Sequence, residues 1–236
     1  MDRQIISKLD IQQLKFIDFH THSQIQDGDD VLEVVSIHPD KYKHATYYTI
    51  GYHPWWTLNI LDDTQINIMR MHYLQNSNCL GLGEFGLDKI KGNNLDVQEE
   101  IVIQQLLLAN ELNAPVVLHC VRAFDRLLRL AKNYKQTPWV VHGFVRNKTL
   151  AQQVIDAGIY LSIAPHNQMT ATMQEMLAYL PEDRMFLETD SDFTLTIQQR
   201  YAIFADIKGL EISTIQTVLF ENFKKFFSEK WQYHIG

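Results

Sequence analysis

The sequence predicts an α/β fold of the TIM type, a (β/α) barrel that is irregular in its first quarter, on the strength of three observations. From residue 79 onward, short apolar runs alternate with longer helical patterns, the βαβα rhythm of a parallel sheet. The runs end repeatedly on a histidine or a carboxylate, at His20, Glu84, His119, His142 and Asp190. The 236 residues also suit one domain over 1–236, because barrels of this class commonly use about 250 residues for a single core.

Taken in order, strands are expected at residues 16–20 and 47–53, with a further run at 31–37 between them. A parallel crossover needs about a dozen residues, usually with a helix. The connections at 21–30 and 38–46 are shorter, so the middle run is expected either to pair antiparallel or to lie outside the barrel. The regular part follows. Strands are read at 79–84, 115–119, 139–142, 158–163 and 185–190, and helices at 96–113, 124–135, 148–157 and 168–180 between them. Ile101, Leu106, Leu108 and Leu112 are among the buried positions of the first of these helices. Helices at 196–207 and 213–227 finish the chain. No linker, repeat or low-complexity tract suggests another boundary.

The composition is 46% apolar and 21% charged, which is enough apolar surface for a sizeable core. Charges interrupt the apolar residues of the first eight positions, and no stretch approaches a membrane span. Cys79 and Cys120 both sit in apolar runs and read as core residues of a reducing compartment. A cytoplasmic protein with no membrane contact and no obligate protein partner is therefore expected. The net charge of -7 disfavours a broad duplex-binding face, which relies on clustered Lys and Arg. Lys224, Lys225 and Lys230 read as a solvated helix face.

The chemistry lies at the strand ends. His20 and His22 are two apart, so in a strand both imidazoles share one face and can reach one ion. Glu84, His119, His142 and Asp190 each follow an apolar strand, and in a barrel the C-terminal strand ends converge on one mouth. Four imidazoles and two carboxylates exceed what one tetrahedral zinc needs, so two divalent cations are inferred.

Ile-Asp-Phe-His20-Thr-His22, Gly-Tyr-His53-Pro, Gly-Leu-Gly-Glu84-Phe-Gly-Leu-Asp88, Pro-Val-Val-Leu-His119, Val-His142-Gly-Phe and Leu-Glu-Thr-Asp190 resemble, in order and type, the motifs of the TatD family of metal-dependent hydrolases within the amidohydrolase superfamily. The resemblance runs from about residue 16 into the segment Glu221-Asn222-Phe-Lys-Lys-Phe226. It implies a two-metal site in which His20 and His22 hold one ion, His119 and His142 the other, Glu84 bridges, and Asp190 binds the first ion and handles a proton. It also implies deoxyribonuclease activity. The chain departs from the pattern in its shorter stretch between His22 and His53, in Val121-Arg122 after the third histidine, and in Ser191-Asp192 after Asp190.

Two cations in such a site acidify a water between them and stabilise charge on the attacking and leaving oxygens. Zinc or manganese suits the imidazoles, whereas magnesium suits phosphoryl chemistry. Asp190 and Glu84 are the expected catalytic carboxylates, and DNA or a small phosphodiester or ester is the expected substrate. An amide, lactone or other small ester is the alternative substrate, and a non-catalytic metal-stabilised binding protein is the alternative class.

His53 reads as a substrate or phosphate contact or as a capped strand-end histidine. Trp55-Trp56 reads as a base-stacking platform or as a roof over the mouth. Arg122 either clamps a phosphate or pairs with Asp125 or Asp88. His38, His44, His72, His166 and His234 read as surface or packing residues. Gly81-Leu-Gly83-Glu-Phe-Gly86 matches the dinucleotide fingerprint, but no helix pattern opens at its glycines. No G-x-S-x-G elbow is present for a serine hydrolase.

Overall fold

The structure, a computed structural model, describes residues 16–23, 30–41, 44–228 and 230–231. Eight strands form one sheet in sequential order: β1 (Phe16–Thr21), β2 (Val31–Ile37), β3 (Tyr47–Ile50), β4 (Cys79–Asp88), β5 (Val116–Val121), β6 (Trp139–Val141), β7 (Ile159–Ile163) and β8 (Met185–Leu187). All neighbouring pairs are parallel. The ring closes through a parallel bridge between Thr21 and Asp190, where Asp190 N–H donates to the His20 carbonyl at 2.9 Å and His22 N–H donates to that of Asp190 at 3.3 Å. This is the expected TIM barrel, and its closing seam passes through the candidate site.

The first quarter differs from both alternatives drawn from the sequence. β2 pairs parallel with β1 and with β3, so it is neither antiparallel nor outside the barrel. Chain reach permits this: at about 3.3 Å per extended residue, nine residues can span up to about 30 Å, more than the length of either neighbouring strand. The irregularity is a register shift between Asp18 and Thr21.

Helices fill the regular crossovers: α1 (Asp63–Gln75), α2 (Leu95–Glu111), α3 (Phe124–Tyr134), α4 (Lys148–Asp156) and α5 (Ala171–Tyr179), followed by α6 (Ile197–Lys208) and α7 (Ile212–Phe226). The sequence pattern had not announced α1, because only Met69 and Tyr73 of its residues are buried. Its signal is local instead. Asp62 accepts from the Gln65 N–H at 2.9 Å and the Gln65 side chain accepts from the Asp62 N–H, a reciprocal cap.

The core divides by strand parity. Leu32, Val34, Val117, Val140, Tyr160 and Phe186 point inward and pack with Phe223, Phe226 and Phe227 of the C-terminal segment. Their neighbours Val116, Leu118, Val141, Leu161 and Leu187 face the helices. Phe19 stacks on Phe186 with ring centroids 3.9 Å apart, which plugs the interior. Two residues beyond Val117, Val140 and Phe186, on the same face, stand His119, His142 and Glu188. The inward row thus changes from apolar to polar as it reaches the mouth.

Candidate metal centre

Glu84 organises the mouth. It is 2% exposed, and its two carboxylate oxygens divide the surrounding imidazoles. Oε1 meets His142 Nε2 at 2.6 Å, His119 Nδ1 at 2.9 Å and His53 Nε2 at 2.9 Å. Oε2 faces His20 Nε2 at 3.3 Å and His22 Nε2 at 3.5 Å, and His22 Nε2 also lies 3.1 Å from Asp190 Oδ1. The six residues expected to converge do so, and His53 joins them. Three trios have donor atoms close enough for one ion: His20, His22 and Glu84; His53, Glu84 and His119; and His20, His142 and Asp190.

Local geometry delivers these side chains. At Gly86 a Cβ would overlap the backbone of His119, so glycine there lets β4 lie against β5 and brings Glu84 and His119 together. Asp190 follows β8 with φ at 55°, a left-handed conformation costly for most residues and tolerated by aspartate. Its turn is closed by the Asp192 N–H donating to the Thr189 carbonyl at 3.0 Å. Fully buried Arg200 holds that turn, with Nη2 donating to the Asp192 carbonyl at 2.6 Å and to Oδ2 at 3.0 Å, and Nη1 to the Pro165 carbonyl at 3.0 Å.

The electrostatics match a cation site. Burial by itself raises the Glu84 pKa, but His142, His119 and His20 outweigh it and hold the carboxyl well below the usual range. Burial likewise pulls His142 down, whereas Glu84 and Glu188 reverse this and hold its pKa well above the ordinary value. His20 and His53 are pushed down chiefly by burial, which keeps their imidazoles neutral and their lone pairs available to a metal. His20 Nε2 and Glu84 Oε2 are both buried without a hydrogen-bond partner among the described residues. A cation between the two groups would satisfy both, so the residues present fit a metal.

Two further carboxylates, which the sequence pattern does not assign to the site, lie behind the imidazoles. Asp88 Oδ2 lies 3.1 Å from His119 Nε2 and accepts from Trp55 Nε1 at 2.6 Å. It thereby fixes which His119 nitrogen faces Glu84. Glu188 Oε1 accepts from the Gly143 N–H at 2.6 Å and stands 3.8 Å from His142 Nδ1. The available signal was parity: Glu188 precedes Asp190 by two, and Asp88 ends the strand that carries Glu84.

A cavity of about 400 Å³ opens over the cluster, and its lining includes His22, Asp190 and Ser191 together with Ser36, His38, Lys41 and Trp56. Trp55 also lines the cavity, with its indole tied to Asp88 and its ring against His53 and His119, as a roof over the mouth would be. Trp56 is 46% exposed. His38, expected at the surface or in packing, is buried and lines this cavity. Arg122 is not gathered into the cluster. It is exposed beside the mouth with φ at 53° and, among the described residues, forms no ion pair with Asp88 or Asp125.

Comparison with known proteins agrees with this geometry. The chain is 29% identical over 202 residues to an uncharacterized metal-dependent hydrolase of Methanocaldococcus jannaschii, covering 80% of this chain and 78% of that protein. It is 28% identical over 190 residues to a 3'-5' ssDNA/RNA exonuclease TatD of Pectobacterium atrosepticum, covering 74% and 67%. A provisionally named deoxyribonuclease of Enterocytozoon bieneusi is 29% identical over 159 residues, 67% of this chain and 57% of that protein. The matched part thus spans between just over half and about four-fifths of these relatives. Among solved structures, a TatD homologue of Escherichia coli K12 superimposes with a TM-score of 0.73 at 20% identity, covering 91% of this chain and 98% of that one, which supports the barrel. The family described as TatD related DNase matches residues 12–228, and the chain therefore belongs to the TatD family of metal-dependent hydrolases.

Proposed function

We propose that the chain hydrolyses phosphodiester bonds of DNA or RNA ends with two divalent cations held at the barrel mouth. The observation that carries this reading is the division of imidazoles between the two oxygens of Glu84. His20, His22 and Asp190 would hold one ion and His119 and His142 the other, with Glu84 shared between them. When bound, the ions supply acidified water and charge stabilisation on the phosphoryl oxygens. The imidazole-rich donor set favours zinc or manganese, and magnesium remains compatible with phosphoryl chemistry. The nuclease names of the relatives support the bond type.

The chain's own groups do the rest. Asp190, in the cavity wall and about one-third exposed, accepts a proton from the attacking water and returns it to the leaving oxygen. Asp88 holds His119 in one orientation, and Glu188 stands behind His142. His53 meets the substrate from the cavity wall, and Arg122, exposed and outside the cavity lining, reaches phosphates beyond it. The two free, buried cysteines support a reducing, cytoplasmic setting. No described helix is long and apolar enough to cross a membrane.

Metal-loaded protein is to be assayed on single-stranded DNA and RNA, on a small phosphodiester and on an acyl ester or lactone. Phosphodiester cleavage that Asp190→Asn lowers by at least 100-fold while metal content is kept is the expected result. Cleavage of the acyl ester alone would move the chain to the small-ester reading. Activity that persists in His20→Ala would expose a contaminating nuclease.

A further inference from the structure

Part of the cavity lining, Trp56 with His38 and Lys41, has no task in hydrolysis. From Glu84 the side chains run outward through His53 to Trp56, whose ring centroid is 4.8 Å from that of His53 at an angle of 40°. His38 packs its ring edge against Trp56 at 5.7 Å and against Tyr52 at 5.2 Å, which steadies the indole from behind. Lys41 holds its ammonium 4.5 Å over the Trp56 ring and, among the described residues, is the only lysine or arginine lining the cavity. The indole, 46% exposed beside the polar cluster with a cation above it, thus brings an aromatic face to the edge of the cavity.

Resting on the phosphodiesterase reading, we propose that Trp56 is the platform on which the base of the terminal nucleotide stacks while its phosphate occupies the Glu84 cluster. Trp56 is next to His53, itself 2.9 Å from Glu84, so one nucleotide spans the two positions. The volume, about 400 Å³, is that of a small-molecule site. Lys41 covers the indole in the free protein, yet it is exposed and forms no ion pair among the described residues. Stacking of a base on an aromatic face outweighs an exposed ammonium on the same face, so the base displaces Lys41. The ammonium, still tethered beside the ring, then turns to the neighbouring phosphate. Such a platform accepts any base, because every base offers a π-face, and it discriminates nucleotides from base-free phosphates.

Binding separates this subsite from the reaction. The affinities of the metal-loaded full chain for deoxyadenosine 5'-monophosphate and for deoxyribose 5-phosphate are to be compared by calorimetry. The wild-type protein is expected to favour the nucleotide at least tenfold, about 1.4 kcal/mol. Trp56→Ala should abolish that preference, and Trp56→Phe should keep most of it. The melting temperature of each variant shows that the fold is retained. A wild-type protein without the preference, or a Trp56→Ala variant that keeps it, overturns the proposal. Preference for the base without any phosphodiester turnover would instead sink the phosphodiesterase reading and leave the stacking subsite standing.

Discussion

Replacing Arg200 with methionine tests whether a buried guanidinium holds the turn that presents Asp190. Arg200 is fully buried and makes three hydrogen bonds, one to the Pro165 carbonyl and two to Asp192. Hydrogen bonds to charged groups contribute about 1.5–3 kcal/mol each, but their sum overstates the loss. Methionine removes the desolvation penalty of the charge, and Asp192, with a side chain 48% exposed, regains water. What remains is the buried Pro165 carbonyl without a partner, about 1–3 kcal/mol. For a chain of this length, 2 kcal/mol lowers Tm by about 4–8 °C. The turn from Thr189 to Asp192 also loosens, so kcat on a phosphodiester should fall about tenfold or more. Asp192→Ala should cost at least as much stability, because it leaves the cation buried without its counter-ion. Thr194, by side-chain and backbone hydrogen bonds, is the main cause of the Asp192 carboxyl lying down at about 2, with Arg200 adding to it. The Asp192 contribution is therefore fully present above about pH 4 and is lost as pH falls toward about 2. Thermal melts and steady-state kinetics decide the matter. An Arg200→Met protein with unaltered Tm and unaltered kcat would show that the clamp does nothing.

Three further outcomes follow from the same geometry. Asp88→Asn weakens the acceptor that orients His119 and should lower metal affinity by about 10–100-fold, read by competition with a chelator; an unchanged affinity would remove Asp88 from that role. Gly86→Ala places a methyl into the backbone of His119, which cannot yield cheaply, so the variant should lose more than about 3 kcal/mol of stability or fail to fold; near-wild-type stability and activity would contradict the close approach of β4 and β5. Removing metal with a chelator should abolish turnover and lower Tm, since at about 100 times Kd a bound ion contributes about 2.7 kcal/mol; a Tm indifferent to metal would argue against a resident ion.

Much of the site was legible because a parallel barrel converts strand ends into neighbours. Apolar runs ending on His119, His142 and Glu84 announce both the strand and the ligand, since the period of two that places Val117 and Val140 inside also places the histidines at the mouth. Other features were not legible, for identifiable reasons. The α1 helix carries too little apolar periodicity to stand out, and β2 pairs parallel on both sides although its flanking connections are shorter than a dozen residues. Strand parity places Asp88 and Glu188 on the mouth side of their strands, but which imidazole each one meets depends on contacts between strands. Trp55 and Trp56, adjacent in sequence, both line the cavity, and only the contact with Asp88 ties down the first indole while the second is left 46% exposed.

The chain's residue types and their spacing determined a barrel, six imidazole and carboxylate side chains at its mouth and a hydrolytic chemistry, because strand period and side-chain chemistry are local properties. Tertiary structure alone decided how those donors share the two oxygens of one buried carboxylate, that His53 joins them and that Arg122 stays on the rim. These outcomes depend on distances of a few ångströms between strands far apart in sequence, and packing sets such distances, not pattern.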